Sequence, residues 1–411
     1  MTLLIEIAVA IVSGAMLTVF AELIARRVLA SARFYVWPRF LRRENHLMPG
    51  VFPGFGPTSC ISINSDGERG EEAPAENASV LRVLIAGGSA AEGYFLDQSD
   101  TLEARLQREL NRRFRLSDQC PGSAFVSNVG RSGFSSDKML HLLHRVMPQH
   151  RRLDVVVMIV GASDILNWLK HRSPEELSFS EVNHKTCFEF YPGKQYQFWP
   201  WRSAALTDIW RYWRPRFLRR PEVCEGVGKH MVLLRQRRRD AKTILQSVAS
   251  PEQVLQKFSR NVEEAIDLCH KVGARVLFVP QPHMDLDRVG DEQRLLIWNA
   301  AVGDPHKTNP LEYYSTSVLF RLMDEINAVA VQTARRCGAS SVVVQPLMEP
   351  PALCFFDEFH FTPFGAAIVA KALAETILEV LCSRGTQSDS DEVENNTLTR
   401  PSTKIDHSIT L

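Results

Sequence analysis

No Cys-x-x-C pair occurs anywhere in this chain. Its eight cysteines, at 60, 120, 187, 224, 269, 337, 354 and 382, are scattered over 411 residues and outline neither a disulfide framework nor a zinc cage. Cys269, Cys337 and Cys382 fall within expected helices and read as buried apolar residues. Only Cys187 with Cys224 is worth testing as a bridge, and only in an oxidising compartment. An excess of one charge is missing too: the formal net charge is +1, which argues against a dedicated nucleic-acid binder. Absent as well is any Lys or Arg before residue 26, so the apolar N-terminus lacks the basic lead of a cleaved signal peptide.

What stands there instead is a long apolar segment, Leu3 to Ala25, interrupted by Glu6, Ser13, Thr18 and Glu22. At about 1.5 Å of rise per residue it is long enough to cross a hydrocarbon core of about 30 Å. Its two glutamates lie near the ends, where a charge costs least. A transmembrane anchor is expected over residues 1–30, the alternative being an amphipathic helix packed on the enzyme. Residues 31–79 form an extended lead-in, rich in Pro, Gly and acidic residues from Leu47 to Ala78. Because Ile61 and Ile63 alternate with polar residues, this segment is expected to lie ordered on the following domain rather than to act as a plain linker. At the other end, residues 384–411 are polar and without apolar periodicity, and are expected to be disordered.

From Val80 the pattern alternates between strand and helix, as in a doubly wound α/β domain over residues 80–383. Strands are expected at 81–86, 125–129, 153–160, 274–279 and 341–345, and helices at 99–115, 135–148, 252–272, 318–337 and 363–382. The fold expected is a flavodoxin-like three-layer α/β/α arrangement around five parallel strands. In LRVLIAGGSAAEG an apolar run stops on two glycines and hands Ser89 to a helix start, so Ser89 stands at the carboxyl end of a strand, where open sheets bind ligands. A plain helix-capping role is the competing use of such a serine.

Near the other end, FFDEFHFTPFG places Asp357 and His360 three residues apart, on one side of a turn. Asp357 can then fix the tautomer of His360 while His360 takes the proton of Ser89. With Gly87-Gly88-Ser89, Gly130 in NVGRSGFSS and Asp357-x-x-His360 in this order, the chain resembles the SGNH, or GDSL-type, hydrolase superfamily, and in particular its membrane-anchored bacterial members. The run SINSDGERG is similar to one that such membrane-attached proteins carry before the first strand. The resemblance implies a serine nucleophile at Ser89, a base at His360 oriented by Asp357, and an oxyanion hole from Ser89, Gly130 and the residue at 163. That last position departs from the family: its Gly-x-Asn-Asp loop reads Gly161-Ala162-Ser163-Asp164 here, and Asp164 is expected to tie down the loop. An ordinary α/β-hydrolase elbow is excluded, since the position two after Ser89 is Ala91 and not Gly.

A large insertion, residues 165–250, follows the third strand at the active-site end of the sheet. It interleaves Trp199, Trp201, Trp210, Trp213 and Phe217 with arginines and ends in Arg235, Arg237, Arg238 and Arg239. The readings for this run are a solvated helix face, or contact with a membrane headgroup or a glycan. His283, after the fourth strand, is the rival base but shows no carboxylate at an orienting spacing, and is read as cleft-lining or structural. Asp285 and Asp287 lack His or Cys partners at ligand spacing, so neither metal nor cofactor is expected.

The function expected is a serine esterase or deacylase acting on ester-linked acyl groups of a glycan, a lipid or a small molecule, with O-acetyl groups of a polysaccharide as one fit. An acyltransferase using the same site is the first alternative; an impaired binding or scaffold protein on the fold is the second. A single-pass membrane location is expected, with two opposed indications of side. Arg26, Arg27, Arg33, Arg39, Arg42 and Arg43 follow the apolar segment and point the domain to the cytoplasm, whereas anchored relatives commonly face outward.

Overall fold

A strand buried on both faces must satisfy its backbone entirely within its sheet, and the Val, Leu and Ile run that ends at Gly87 is such a strand. The computed structural model describes residues 2–30, 34–75, 79–116, 122–176 and 221–397, and between the last two Val182, Cys187 and Leu206. In chain order the strands are β1 (Arg42–Leu47), β2 (Thr58–Ser62), β3 (Val80–Gly87), β4 (Ser123–Asn128), β5 (Val155–Ile159), β6 (Glu222–Val227), β7 (Thr243–Leu245), β8 (Arg275–Phe278), β9 (Glu312–Tyr314) and β10 (Ser340–Ser341).

Five of these form the main sheet in the order β10-β8-β5-β3-β4, all parallel. This is the flavodoxin order, and the five expected strands are the five observed. The chain moves from β3 outward to β4, then returns past β3 to β5, so a crevice opens between the carboxyl ends of β3 and β5. The helices Leu102–Phe114 and Pro363–Thr397 pack together, while Ser136–Val146, Glu252–Lys271 and Thr316–Arg336 form a second group. Helix Leu102–Phe114 illustrates why: Leu102, Leu106, Leu110 and Phe114 recur every four residues and are all buried. Its start is capped by the Thr101 hydroxyl, which accepts from the Ala104 N–H.

Within residues 34–75 of the lead-in, Ile61 and Ile63 are buried against the domain. A second, smaller sheet runs β2-β1-β6, with β1 antiparallel to β2 and parallel to β6. Since β6 belongs to the insertion, the two additions to the α/β core are joined to each other by backbone pairing. The β6 sequence, EVCEGV, is largely exposed and carries no apolar alternation, so tertiary pairing decides its conformation.

One expectation is corrected in part: at the end of the insertion Arg239 is exposed, but Arg235, Arg237 and Arg238 turn into the fold and do not form a solvated face. On helix Lys229–Arg239 the buried Arg235 donates to the carbonyls of Leu296 (3.2 Å), Val51 (2.7 Å) and Phe356 (3.1 Å). Arg237 donates to the Pro305 carbonyl, and Arg238 to those of Asn299 and Tyr314. Guanidinium forks here satisfy main-chain carbonyls, five in loops and that of Tyr314 at the end of β9. The aromatic half of the run, Trp199 to Phe217, lies outside the described residues. Cys187 and Cys224 are both free thiols. The last helix runs from Pro363 to Thr397, and no proline falls within it after its first residue.

Arg235→Met is expected to lower stability by on the order of 3 kcal/mol, because buried carbonyls lose their donor. The denaturant midpoint checks this, and a change within about 0.5 kcal/mol would return the run to a solvated face.

Candidate active site

Two glycines shape the turn after β3. Gly87 has φ 150°, and a Cβ there would lie 1.9 Å from the Ile159 carbonyl oxygen, so no side chain fits. The next residue, Gly88, donates its N–H to that same carbonyl at 2.9 Å. The chain then forms a single helical turn, Ser89–Glu92, which ends at Gly93 in the left-handed region (φ 58°). The residue before Ser89 is thereby tethered directly to β5.

Gly130 presses on this turn from the loop after β4, where an added Cβ would meet the Glu92 nitrogen at 2.8 Å and the Ala91 methyl at 2.9 Å. Asn128, two residues earlier, does more than the sequence disclosed. Its side-chain amide donates to the Ala91 carbonyl (2.7 Å) and to the Glu103 carboxylate (2.8 Å). Its Oδ1 accepts the Gly130 N–H at 2.8 Å, so that backbone donor, expected to face an oxyanion, is already engaged. The Ser89 N–H, in the first turn of its helix, has no intrahelical acceptor.

The structure brings Ser89, His360 and Asp357 into one chain of hydrogen bonds. His360 Nδ1 lies 2.8 and 2.7 Å from the two Asp357 oxygens, and Nε2 lies 2.7 Å from Ser89 Oγ. With Nδ1–H donating to the carboxylate, Nε2 accepts from the serine hydroxyl. Asp357 is fully buried and also accepts from the backbone N–H groups of Phe359 and His360, both at 3.0 Å, and from the Trp298 indole at 3.0 Å. The Phe356 ring stacks on His360 with centroids 5.4 Å apart.

Charge and burial oppose each other at this site. Burial alone would raise the Asp357 carboxyl, yet His360 and the surrounding donors hold it below its ordinary value. Burial alone would lower the His360 imidazole, and the Asp357 carboxylate outweighs this and raises it. The neighbouring Glu358 is pushed up, by burial first and then by the Asp357 charge. It accepts from the N–H groups of Trp298 and Asn299, each at 2.7 Å, and from the Asn299 amide at 3.1 Å. Trp298 and Asn299 stand some sixty residues before Asp357, and nothing in the sequence announces them.

Ser163 lies partly buried in the first turn of helix Ala162–Lys170, directly after β5. Its neighbour Asp164 accepts from the Ser136 N–H (2.9 Å) and hydroxyl (2.6 Å), binding the β5 loop to the start of helix Ser136–Val146. Burial pushes the Asp164 carboxyl up to about 7. His283 is elsewhere: its Nε2 lies 3.0 Å from Asp324 Oδ1 and its ring stacks on Phe320. It thus has an orienting carboxylate after all, 41 positions away on helix Thr316–Arg336, but its ring nitrogens face Asp324 and the Met284 carbonyl rather than Ser89. Asp285 caps the turn Leu286–Arg288 by accepting from the Asp287 N–H.

No family model matches the chain, and no curated protein matches it in sequence. Among solved structures it is similar to the lipase/acylhydrolase from Enterococcus faecalis, at 14% identity over 72% of this chain and 95% of that one, with a TM-score of 0.36. It is also similar to a member of the lipolytic protein G-D-S-L family from Veillonella parvula DSM 2008, at 11% identity, 72% and 97% coverage and a TM-score of 0.37. The acetyl xylan esterase AlAXEase matches at 11% identity, 72% and 100% coverage and a TM-score of 0.37.

The His360 imidazole is expected to titrate above 6.5 in the folded protein and to fall in Asp357→Asn, as read by NMR of the labelled ring. Because the folded value is raised, the pair adds stability that is complete below the unfolded value and is lost as pH rises through the folded one.

Proposed function

We propose that this chain is a serine esterase of the SGNH, or GDSL, type that removes ester-linked acyl groups through a covalent Ser89 intermediate. The observation that carries this reading is the 2.7 Å approach of His360 Nε2 to Ser89 Oγ, with Nδ1 held by a buried carboxylate. A serine is nucleophilic at neutral pH only beside such a base.

His360 would take the Ser89 proton as Oγ attacks the ester carbonyl. The negative oxygen that forms would be met by the Ser89 N–H, and by the Gly130 N–H if Asn128 Oδ1 shares it. Ser163 offers only a rotatable hydroxyl as a third donor. Collapse of the tetrahedral species breaks the ester bond, and His360 returns its proton to the departing alcohol. Water, activated by the same imidazole, then releases the acid. A sugar hydroxyl in place of water would make the reaction a transfer. A scaffold role is disfavoured by the intact run of hydrogen bonds from Asp357 to Ser89. Polysaccharide O-acetyl groups remain one substrate that fits this chemistry.

The helix Thr2–Ala30 supplies the proposed anchor. Its segment Ile5–Ala25 has a mean hydropathy of 2.2, and of its residues only Ala25, at the end, is buried against the rest of the chain. Ile11, Met16 and Leu17 are each about two-thirds exposed, as a bilayer would accommodate and water would not.

A fluorophosphonate probe is expected to modify Ser89, as mapped by mass spectrometry, and labelling that persists in Ser89→Ala would overturn the assignment. His360→Ala is expected to lower kcat for an aryl ester by about a thousandfold or more, while His283→Ala leaves it within about threefold. Detergent, and not high salt, is expected to release the full-length protein from membranes, since apolar burial is unaffected by screening.

A further inference from the structure

In a helix of one turn only the first carbonyl, that of Ser89, finds a local donor, the Gly93 N–H at 3.0 Å, so something else must hold the rest of the turn. Asn128 takes the Ala91 carbonyl, and one buried side chain takes the carbonyls at the end of the turn and just beyond it. Arg69 is 1% exposed. Its Nη1 lies 2.8 Å from both the Glu92 and the Gly93 carbonyl oxygens, and its Nη2 2.8 Å from that of Leu96. Nε donates to Gln98 Oε1 at 3.2 Å and lies 3.6 Å from the Glu103 carboxylate, which keeps the buried charge paired.

Arg69 itself is held fast. Its backbone N–H donates to the Asn128 carbonyl at 2.9 Å, and its carbonyl accepts the Asn128 N–H at 3.0 Å. This is the same Asn128 whose amide holds the Ala91 carbonyl from the other side. The loop before Arg69 is built around Asn64, whose Oδ1 accepts the N–H groups of Asp66 and Glu68. A rigid loop of the lead-in segment therefore drives a planar, multiply donating cation into the end of the turn opposite the nucleophile.

We propose that Arg69 is a positioning residue of the active site: it sets where Ser89 Oγ stands relative to His360, and so makes the lead-in segment part of the reacting geometry. The proposal rests on the Ser89 esterase reading above. A point charge cannot replace the fork, because Lys cannot reach three carbonyls that a guanidinium spans.

The test uses the full-length protein in detergent, with an aryl ester and a fluorophosphonate probe. In Arg69→Ala, kcat and the rate of Ser89 labelling are expected to fall by about a hundredfold, the scale of a small displacement of a reacting atom. KM should move by less than about threefold, because no substrate contact is removed. Millimolar guanidinium should restore part of the rate, and sodium chloride at equal ionic strength should not. Arg69→Lys, which retains the charge and covers for an Arg69→Ala protein that fails to fold, is expected to lose about tenfold in kcat. Folded variants whose kcat stays within twofold of the wild type would overturn the proposal. So would a loss that follows the folded fraction and is not rescued by guanidinium. If wild-type Ser89 is itself unlabelled, it is the esterase reading that fails; normal wild-type labelling with undiminished variant labelling sinks only the role of Arg69.

Discussion

A carboxylate removed from water stays ionised only if donors replace the water, and at Asp357 four do so: two backbone N–H groups, the Trp298 indole and the His360 ring. The remainder of the site follows from that enclosure. The ionised carboxylate selects the His360 tautomer and turns Nε2 toward Ser89. The same charge lifts the imidazole and pushes Glu358 toward its neutral form. Enclosing Asp357 also requires Trp298, which is brought under the loop that carries Asp357 and His360, where the Glu358 carboxylate pins the Trp298 and Asn299 backbone.

Ser89 is located by a different kind of constraint, steric and not electrostatic. Gly87 and Gly130 admit the neighbouring backbones at distances that no Cβ would tolerate. Ser89 therefore rides on a turn squeezed between β5 and the loop after β4. His360 rides on a loop fixed by a buried charge, and their 2.7 Å meeting is the intersection of two independent constructions.

This division explains what the sequence made legible. The five central strands and their helices show because burial imposes a period on residues close in the chain, and Asp357 and His360 show because three positions separate them. Ser89 shows because two glycines follow an apolar run. Partners brought together only by folding leave no such mark. Trp298 on Asp357, Asp324 on His283 and Arg69 on the Ser89 turn are separated from their targets by 59, 41 and 23 or more positions. The arginines of helix Lys229–Arg239 were misleading for a related reason: a guanidinium that caps buried carbonyls and one that meets solvent are written with the same letter. Strand β6 was invisible because its partner β1 lies some 175 residues earlier.

The pairing of β1 with β6 bears on how such a chain can be shortened or recombined. A flavodoxin-like core is usually regarded as a module to which loops are appended. Here two appended pieces grip each other, and together they cover Phe356 with Phe52 and Phe55 while Arg235 seals the Phe356 carbonyl. Pruning the chain to its three layers would not leave a smaller version of the same molecule. It would uncover aromatic rings and bare carbonyls one residue from Asp357, so the additions and the core form a single inheritance that changes as a whole or not at all.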